Sequence, residues 1–281
     1  MIASSTSAGP GRRISALPGW LGEALALGLV ILAIVGATVW GTLVLSYLAP
    51  GPGGIRTAAA GFAFLGLSGL AGLPRRRVPV SLMAALIPAA MIWNGAKPSA
   101  DRDWQPEVAV LPHAEVNGDL ATVHDIRNFD YRTETDFTPA YYDKTFDLRK
   151  LDRVDLVGSD GMGNAGAHMF LAFGFGDDFL AVSVEPRPDK ARPYAVLPGF
   201  FKQYELVSVV GDERDVIRVR TNYRKDPPEQ VYLFRLLATD EERRRLFVEY
   251  LKDINALREH PRLYNPLAGQ CILMALDRGA C

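Results

Sequence analysis

Three residues of this chain carry side chains suited to thiol chemistry: His168, Glu185 and Cys271. His168 heads an apolar and aromatic run, Met169 to Phe175, and Ser183-Val184-Glu185 closes a second run after Gly176-Asp177. If Gly176 and Asp177 are the central residues of a hairpin turn, Phe175 pairs with Asp178, and counting outward pairs His168 with Glu185 on one face. A carboxylate beside an imidazole fixes its tautomer and stabilises the imidazolium, as a general base requires. A surface histidine in a polar pair is the alternative. Cys271 follows Pro266-Leu267-Ala268-Gly269-Gln270 and precedes Ile272-Leu273-Met274-Ala275-Leu276, so a turn hands over to a helix at the sulfur. A thiol at a helix N-terminus has a lowered pKa, and a neighbouring imidazolium lowers it further. A buried structural cysteine, or a disulfide with Cys281, remains open as another reading.

Other chemistries are poorly served. Gly161-Met162-Gly163-Asn164-Ala165-Gly166 fits GxGxxG, but the residues after it read as a strand and not as a helix. The motif is therefore expected to be a flexible loop framing a cleft, not a phosphate cradle. Only two cysteines occur, too few for a disulfide framework or a four-cysteine zinc site, and only four histidines are available. Six of the 31 basic residues and one of the 32 acidic residues fall within residues 1–95, which leaves the remainder net −6. Nucleic acid is excluded as a partner on that balance, because phosphate binding needs clustered Lys and Arg.

The elements that must position these residues divide near residue 95. Ala24 to Ala49 is uncharged over 26 positions, where about 20 apolar residues cross a bilayer core. Thr57 to Leu73 is a second uncharged run, of 17 residues. Val78 to Trp93 is a third, containing Pro79 and Pro88, which membrane helices tolerate where neighbours satisfy the freed backbone groups. Three spans are expected, at about 20–49, 57–73 and 78–94, making residues 1–95 a membrane anchor. Arg12 and Arg13 precede the first span, and Arg75, Arg76 and Arg77 fill the loop before the third. The positive-inside rule places those arginines in the cytoplasm and residues 96–281 in the periplasm of an inner-membrane, multi-pass protein; the alternative for the third segment is a proline-broken interfacial stretch, which would return the domain to the cytoplasm.

Pro98 to Pro106 reads as a short polar linker with Trp104 as an interfacial aromatic. Strands are expected at Ala121–Arg127, Val154–Val157, Met169–Phe175, Leu180–Glu185, Tyr204–Val210, Val216–Arg220 and Val231–Leu236. A helix follows, with Thr239 and Glu242 forming a capping box and Leu246, Tyr250, Ile254 and Leu257 at helical spacing. His260 and Pro261 stop it. The mixture implies one α+β domain.

Several segments together carry a family resemblance: Ile126-Arg127-Asn128-Phe129-Asp130-Tyr131-Arg132 with Asp136-Phe137, Ala167-His168, Ser183-Val184-Glu185 with Arg187, Asp212-Glu213-Arg214-Asp215-Val216-Ile217, and Tyr264-Asn265 ahead of Cys271. Across residues 104 to 275 the chain resembles the Lnb N-terminal periplasmic domain family. That family is similar to circularly permuted papain-like and NlpC/P60 thiol enzymes, in which histidine precedes cysteine, and it implies an antiparallel sheet. The resemblance implies Cys271 as nucleophile and His168 as its base, with Glu185 the third member from the hairpin count.

It further implies an acyltransferase of the lipoprotein N-acylation type, or a hydrolase, acting on phospholipid or lipoprotein substrates at the inner membrane without metal or diffusible cofactor. Gln270 stands where the family usually has Asn, and its amide can donate to an oxyanion. Arg187 and Tyr264, a few positions from the triad, are further candidates for substrate binding. Arg127, Asp130, Arg132 and Asp136, and likewise Asp212, Arg214 and Asp215, are expected to form structural ion-pair networks. A cell-wall amidase or peptidase using the same triad, and a non-catalytic periplasmic binding or scaffold domain, are the competing functions.

Overall fold

A computed structural model describes residues 19–49, 59, 61–63, 66, 78–99, 101–160, 168–226 and 228–267. The chain forms two compact units, residues 1–94 and 95–281. In the first, α1 (Gly19–Leu48) is an uninterrupted apolar helix apart from Glu23, and its stretch Trp20–Leu48 is 29 residues long. At about 1.5 Å per residue it spans roughly 43 Å, more than a hydrocarbon core needs. Two of its hydroxyls are satisfied internally: Thr38 donates to the Ile34 carbonyl and Ser46 to the Thr42 carbonyl, each at 2.7 Å. Among the described residues this is the one helix long and apolar enough to cross a membrane, where three spans were expected. The second expected span lies largely outside the described residues. The third corresponds to α2 (Val78–Gly95), 18 residues with Pro88 inside it.

In the second unit a turn of helix, α3 (Pro106–Ala109), leads into β1 (His113–Asn117) and β2 (Leu120–Arg127), joined at Gly118 with φ +58°. Short strands β3 (Asp130–Tyr131) and β4 (Phe137–Thr138) pair apart from the main sheet, and β5 (Tyr141–Asp147) returns along β2. Then come β6 (Arg153–Ser159), β7 (His168–Phe175), β8 (Asp178–Arg187), α4 (Val196–Phe200), β9 (Glu205–Asp212), α5 (Glu213–Arg218), β10 (Val231–Arg235) and α6 (Asp240–Glu259). The main sheet runs β1-β2-β9-β8-β7-β6-β10, with β5 also on β2. It is mixed and not purely antiparallel, because β2 meets β9 in parallel at Arg127 and Gly211.

Strand alternation sorts the core onto two faces. Leu171, Phe173 and Phe175 face α6, where they pack with Phe247, Tyr250, Leu251 and Ile254. Phe173 and Phe247 are fully buried with ring centroids 4.9 Å apart, and each such burial contributes about 1.5–3 kcal/mol. The capping box starts α6 as its sequence specifies: Thr239 N–H donates to Glu242 Oε2 at 2.7 Å and Glu242 N–H to Thr239 Oγ1 at 3.3 Å. On the opposite face Val157, Phe170, Ala172 and Ala181 cluster with Val216 of α5.

The expected strand at Val216–Arg220 is instead α5 followed by one π-turn, Val219–Tyr223. Asp212 caps it, accepting from the Arg214 N–H at 2.9 Å, and the acids Glu213 and Asp215 occupy its positive end. Helix capping outweighs the β-branched content of Val216-Ile217 here. The segment also packs tightly, since a Cβ on Gly211 would lie 2.5 Å from a Val216 methyl and 3.2 Å from the Arg127 carbonyl oxygen. Trp104 also departs from expectation: it is 9% exposed and lies under the Arg187 guanidinium at 4.1 Å, so it is a packing residue and not an interfacial anchor.

Candidate functional site

The β7–β8 hairpin turns at Gly176 (φ +70°) and Asp177, with Phe175 opposite Asp178 and the ladder continuing to Leu171 opposite Val182. The two-residue period then places His168 and Phe170 of β7 on the same face as Ala181, Ser183 and Glu185 of β8. His168 Nε2 lies 2.8 Å from Ser183 Oγ and 3.5 Å from Glu185 Oε1, and Ser183 Oγ donates to Glu185 Oε1 at 2.9 Å. Ser183 is fully buried, whereas the His168 and Glu185 side chains remain 26% and 22% exposed. The imidazole is thus gripped at Nε2 beside a partly open surface.

Cationic groups surround the carboxylate. The π-turn delivers Arg220, 5% exposed, whose Nη2 lies 3.3 Å from Glu185 Oε1 and whose Nη1 donates to the Val216 carbonyl at 2.6 Å. The guanidinium also sits 5.0 Å from the Phe170 ring centroid. Burial pushes the Glu185 carboxyl upward, but the hydrogen bond and charge of His168, then the charges of Arg220 and Arg127, outweigh it and hold the group well below its ordinary value. Beyond Arg220 the network continues through Glu229, which pairs with Arg220 at 3.9 Å, accepts from Arg224 at 2.7 Å and accepts from Ser159 at 2.8 Å.

A second polar centre lies deeper. Asp215 is fully buried and accepts from Arg127 Nη2 at 2.8 Å, from Arg127 Nε at 3.1 Å, from the Phe129 N–H at 2.8 Å and from the Tyr131 hydroxyl at 3.3 Å. Two of the motif segments singled out in sequence therefore meet across the β2–α5 interface. Arg132 pairs instead with Asp136 at 2.5 Å on the surface. Arg214 contributes its backbone N–H to the Asp212 cap.

The remaining candidates divide. Arg187 donates to the Val108 carbonyl at 2.9 Å and the Ala109 carbonyl at 2.8 Å and lies 3.5 Å from Glu205, so it pins α3 to the sheet. Tyr264 is half-buried against the cluster that includes Val184 and Leu206 and meets Tyr194 edge-on at 6.3 Å. Burial, then its hydrogen bond and coulombic interaction with Tyr194, then the charge of Glu185, all push its hydroxyl upward. Cys271, Gln270, Cys281 and the Gly161–Gly166 motif lie outside the described residues. Sequence reading missed Arg220 and Glu229 as partners of the histidine pair. Only the folding of residues 213–223 into helix brings Arg220 to Glu185, and no local pattern announces it.

Among known proteins, a model of the Lnb N-terminal periplasmic domain matches residues 137–277. The matched span is half of the chain and contains His168, Ser183, Glu185, Arg220 and Cys271. No curated protein matches, and no solved structure matches. A periplasmic-domain match together with one apolar N-terminal helix fits a membrane-anchored protein with a periplasmic domain.

Proposed function

Because this chain belongs to the Lnb N-terminal periplasmic domain family, we propose that it is a membrane-anchored periplasmic thiol acyltransferase or hydrolase acting on phospholipid or lipoprotein substrates, with Cys271 as nucleophile, His168 as base and Glu185 as its orienting carboxylate. The anchor is read as three spans with the arginine-rich segments in the cytoplasm, and the enzyme unit as a permuted papain-like or NlpC/P60-like arrangement. The observation that carries the reading is the His168–Ser183–Glu185 linkage on one strand face. It occupies Nε2 of the imidazole and leaves Nδ1 for a second partner. The described chain runs to Leu267, four residues ahead of Cys271, and four extended residues reach at most about 14 Å.

In this reaction Nδ1 takes the thiol proton, and the thiolate attacks the ester carbonyl of a glycerophospholipid. The carbon–sulfur bond forms, and the tetrahedral oxyanion accepts a hydrogen bond from the Gln270 amide. The carbon–oxygen bond then breaks, and the glycerol oxygen leaves with the imidazolium proton. The resulting thioester is attacked by the amino group of a lipoprotein or by water, whose proton passes to His168 as the thiol is regenerated. Glu185 stays ionised throughout and stabilises the imidazolium. No step requires metal or a diffusible cofactor.

The test is full-length protein in vesicles of acyl-labelled phospholipid. Label should appear on Cys271 as a hydroxylamine-labile adduct and be absent from Cys271→Ala. Labelling by a muropeptide instead would favour the cell-wall amidase reading. Slow alkylation of Cys271 at neutral pH, or a Cys271–Cys281 disulfide under non-reducing mass spectrometry, would favour the scaffold reading.

A further inference from the structure

One surface loop joins features that the proposed chemistry does not use. Residues 191–197 are exposed in an unbroken row, and α4 continues it, so that Tyr194, Val196, Leu197 and Phe200 offer their side chains to the outside, Leu197 being 50% exposed. Leu267, 73% exposed, extends the same patch: a Cβ on Gly199 would lie 3.3 Å from Pro266, and Tyr194 packs on Tyr264. The patch therefore flanks the segment that leads to Cys271.

The loop is held in shape and is not merely unsupported. The Tyr204 hydroxyl accepts from the Ala195 N–H and donates to the Pro193 carbonyl, each at 2.9 Å. Both of its ends are fastened to the residues that follow the membrane unit. Lys190 N–H donates to the Asp103 carbonyl at 2.8 Å, Gln105 N–H to the Pro188 carbonyl at 3.2 Å, and Arg102 Nη1 to the Gln203 carbonyl at 3.0 Å. Only six residues separate the end of α2 at Gly95 from Arg102, a covalent reach of at most about 25 Å.

We propose that the 191–200 loop, with Leu267, is a bilayer-docking surface that enters the phospholipid interface beside the candidate active site. This rests on the membrane-anchored part of the reading above. Apolar and aromatic side chains on a rigid turn gain by leaving water, and a short tether keeps them at high effective concentration against the bilayer. The basic residues at the rim are already paired, Lys190 with Asp103 at 2.6 Å and Arg192 with Asp189 at 2.9 Å. Docking is accordingly driven by apolar insertion and does not need anionic lipid. Another apolar exposure among the described residues, at β10 and Leu237, provides the control.

The experiment uses full-length protein lacking both cysteines (Cys271→Ser, Cys281→Ser), reconstituted in zwitterionic vesicles. Leu197→Cys or Leu237→Cys carries a bimane label, and the lipid carries a nitroxide near the headgroup. Nitroxide quenching at Leu197 should exceed that at Leu237 by about twofold or more, since interfacial apolar groups sit roughly 5–10 Å deep. It should persist at high salt. A label at Phe200→Cys should lose its quenching when Leu197→Glu is added, with circular dichroism unchanged. Equal quenching at Leu197 and Leu237, with the protein resisting alkaline extraction, overturns the docking surface and leaves the anchor standing. Protein released by alkaline extraction removes the anchor and the docking surface together.

Discussion

Arg220 and Glu185 meet at 3.3 Å through the same carboxylate oxygen that faces His168, so one oxygen, Oε1, serves a hydroxyl, an imidazole and a guanidinium at once. Such sharing holds the carboxylate in a single orientation, and the orientation of the imidazole follows from it. Replacing Arg220 with Met removes the cation but keeps most of the side-chain volume. Leaving Glu185 without its guanidinium is expected to cost about 3 kcal/mol of stability, as for other ion pairs broken on one side. The urea midpoint of Arg220→Met should fall accordingly. Iodoacetamide modification of Cys271 should also slow and shift its pH profile, an effect that a purely structural arginine would not produce.

Glu185 also gives the fold an acid limit. Against the effect of burial, the hydrogen bond and charge of His168, with the charge of Arg220, hold its carboxyl well below the usual carboxylate range, so the folded state holds the charged form more strongly than the unfolded chain does. A group with a depressed folded pKa contributes its full stability above the unfolded value and loses it as pH falls through the folded value. The stability difference between wild type and Glu185→Gln should therefore be constant above about pH 5 and narrow progressively at lower pH. Urea unfolding of both proteins from pH 7 to pH 3 measures it. A difference independent of pH across that range would show that the carboxylate is not charge-stabilised.

Ser183 is the link between base and carboxylate. Ser183→Ala leaves His168 Nε2 and Glu185 Oε1 at 3.5 Å without the bridging oxygen. Since the lost hydroxyl bonds both the imidazole and an ionised carboxylate, and a hydrogen bond to a charged group is worth about 1.5–3 kcal/mol net, the midpoint of unfolding should fall moderately. The pH dependence of Cys271 alkylation should move more, because the imidazole loses the contact that fixes its ring. An unchanged alkylation profile would make Ser183 a packing residue.

Much of this arrangement can be read from local pattern, and its limits have a physical origin. The hairpin between β7 and β8 is legible because a Gly-Asp turn between alternating runs sets the register, and with it the face shared by His168 and Glu185. α6 is legible from Thr239, Glu242 and the spacing of its apolar residues. Val216–Arg220 misleads because Val and Ile favour strands, whereas the deciding term is the cap at Asp212, four residues before Val216. Trp104 misleads because its partner, Arg187, is 83 residues away. The β1 strand escapes notice, since only one of its five residues is buried. The parallel meeting of β2 and β9 is non-local and has no turn to announce it.

The buried ion pair of Arg127 and Asp215 offers the sharpest separation of fold from chemistry. Asp215 collects Arg127, Tyr131 and the Phe129 N–H with no solvent exposure, and it joins α5 to β2. Because α5 runs directly into the turn that carries Arg220, loosening it should reach the site only through the fold. Asp215→Asn keeps the shape but removes the charge opposite a buried guanidinium, which is expected to cost about 3–5 kcal/mol. That is enough to lower the urea midpoint severely in a domain of ordinary stability. Cys271 alkylation in the fraction that remains folded should keep its wild-type pH profile. A shifted profile in folded Asp215→Asn would instead join Arg127 and Asp215 to the electrostatics of His168, a coupling already hinted at by the contribution of Arg127 to holding Glu185 ionised.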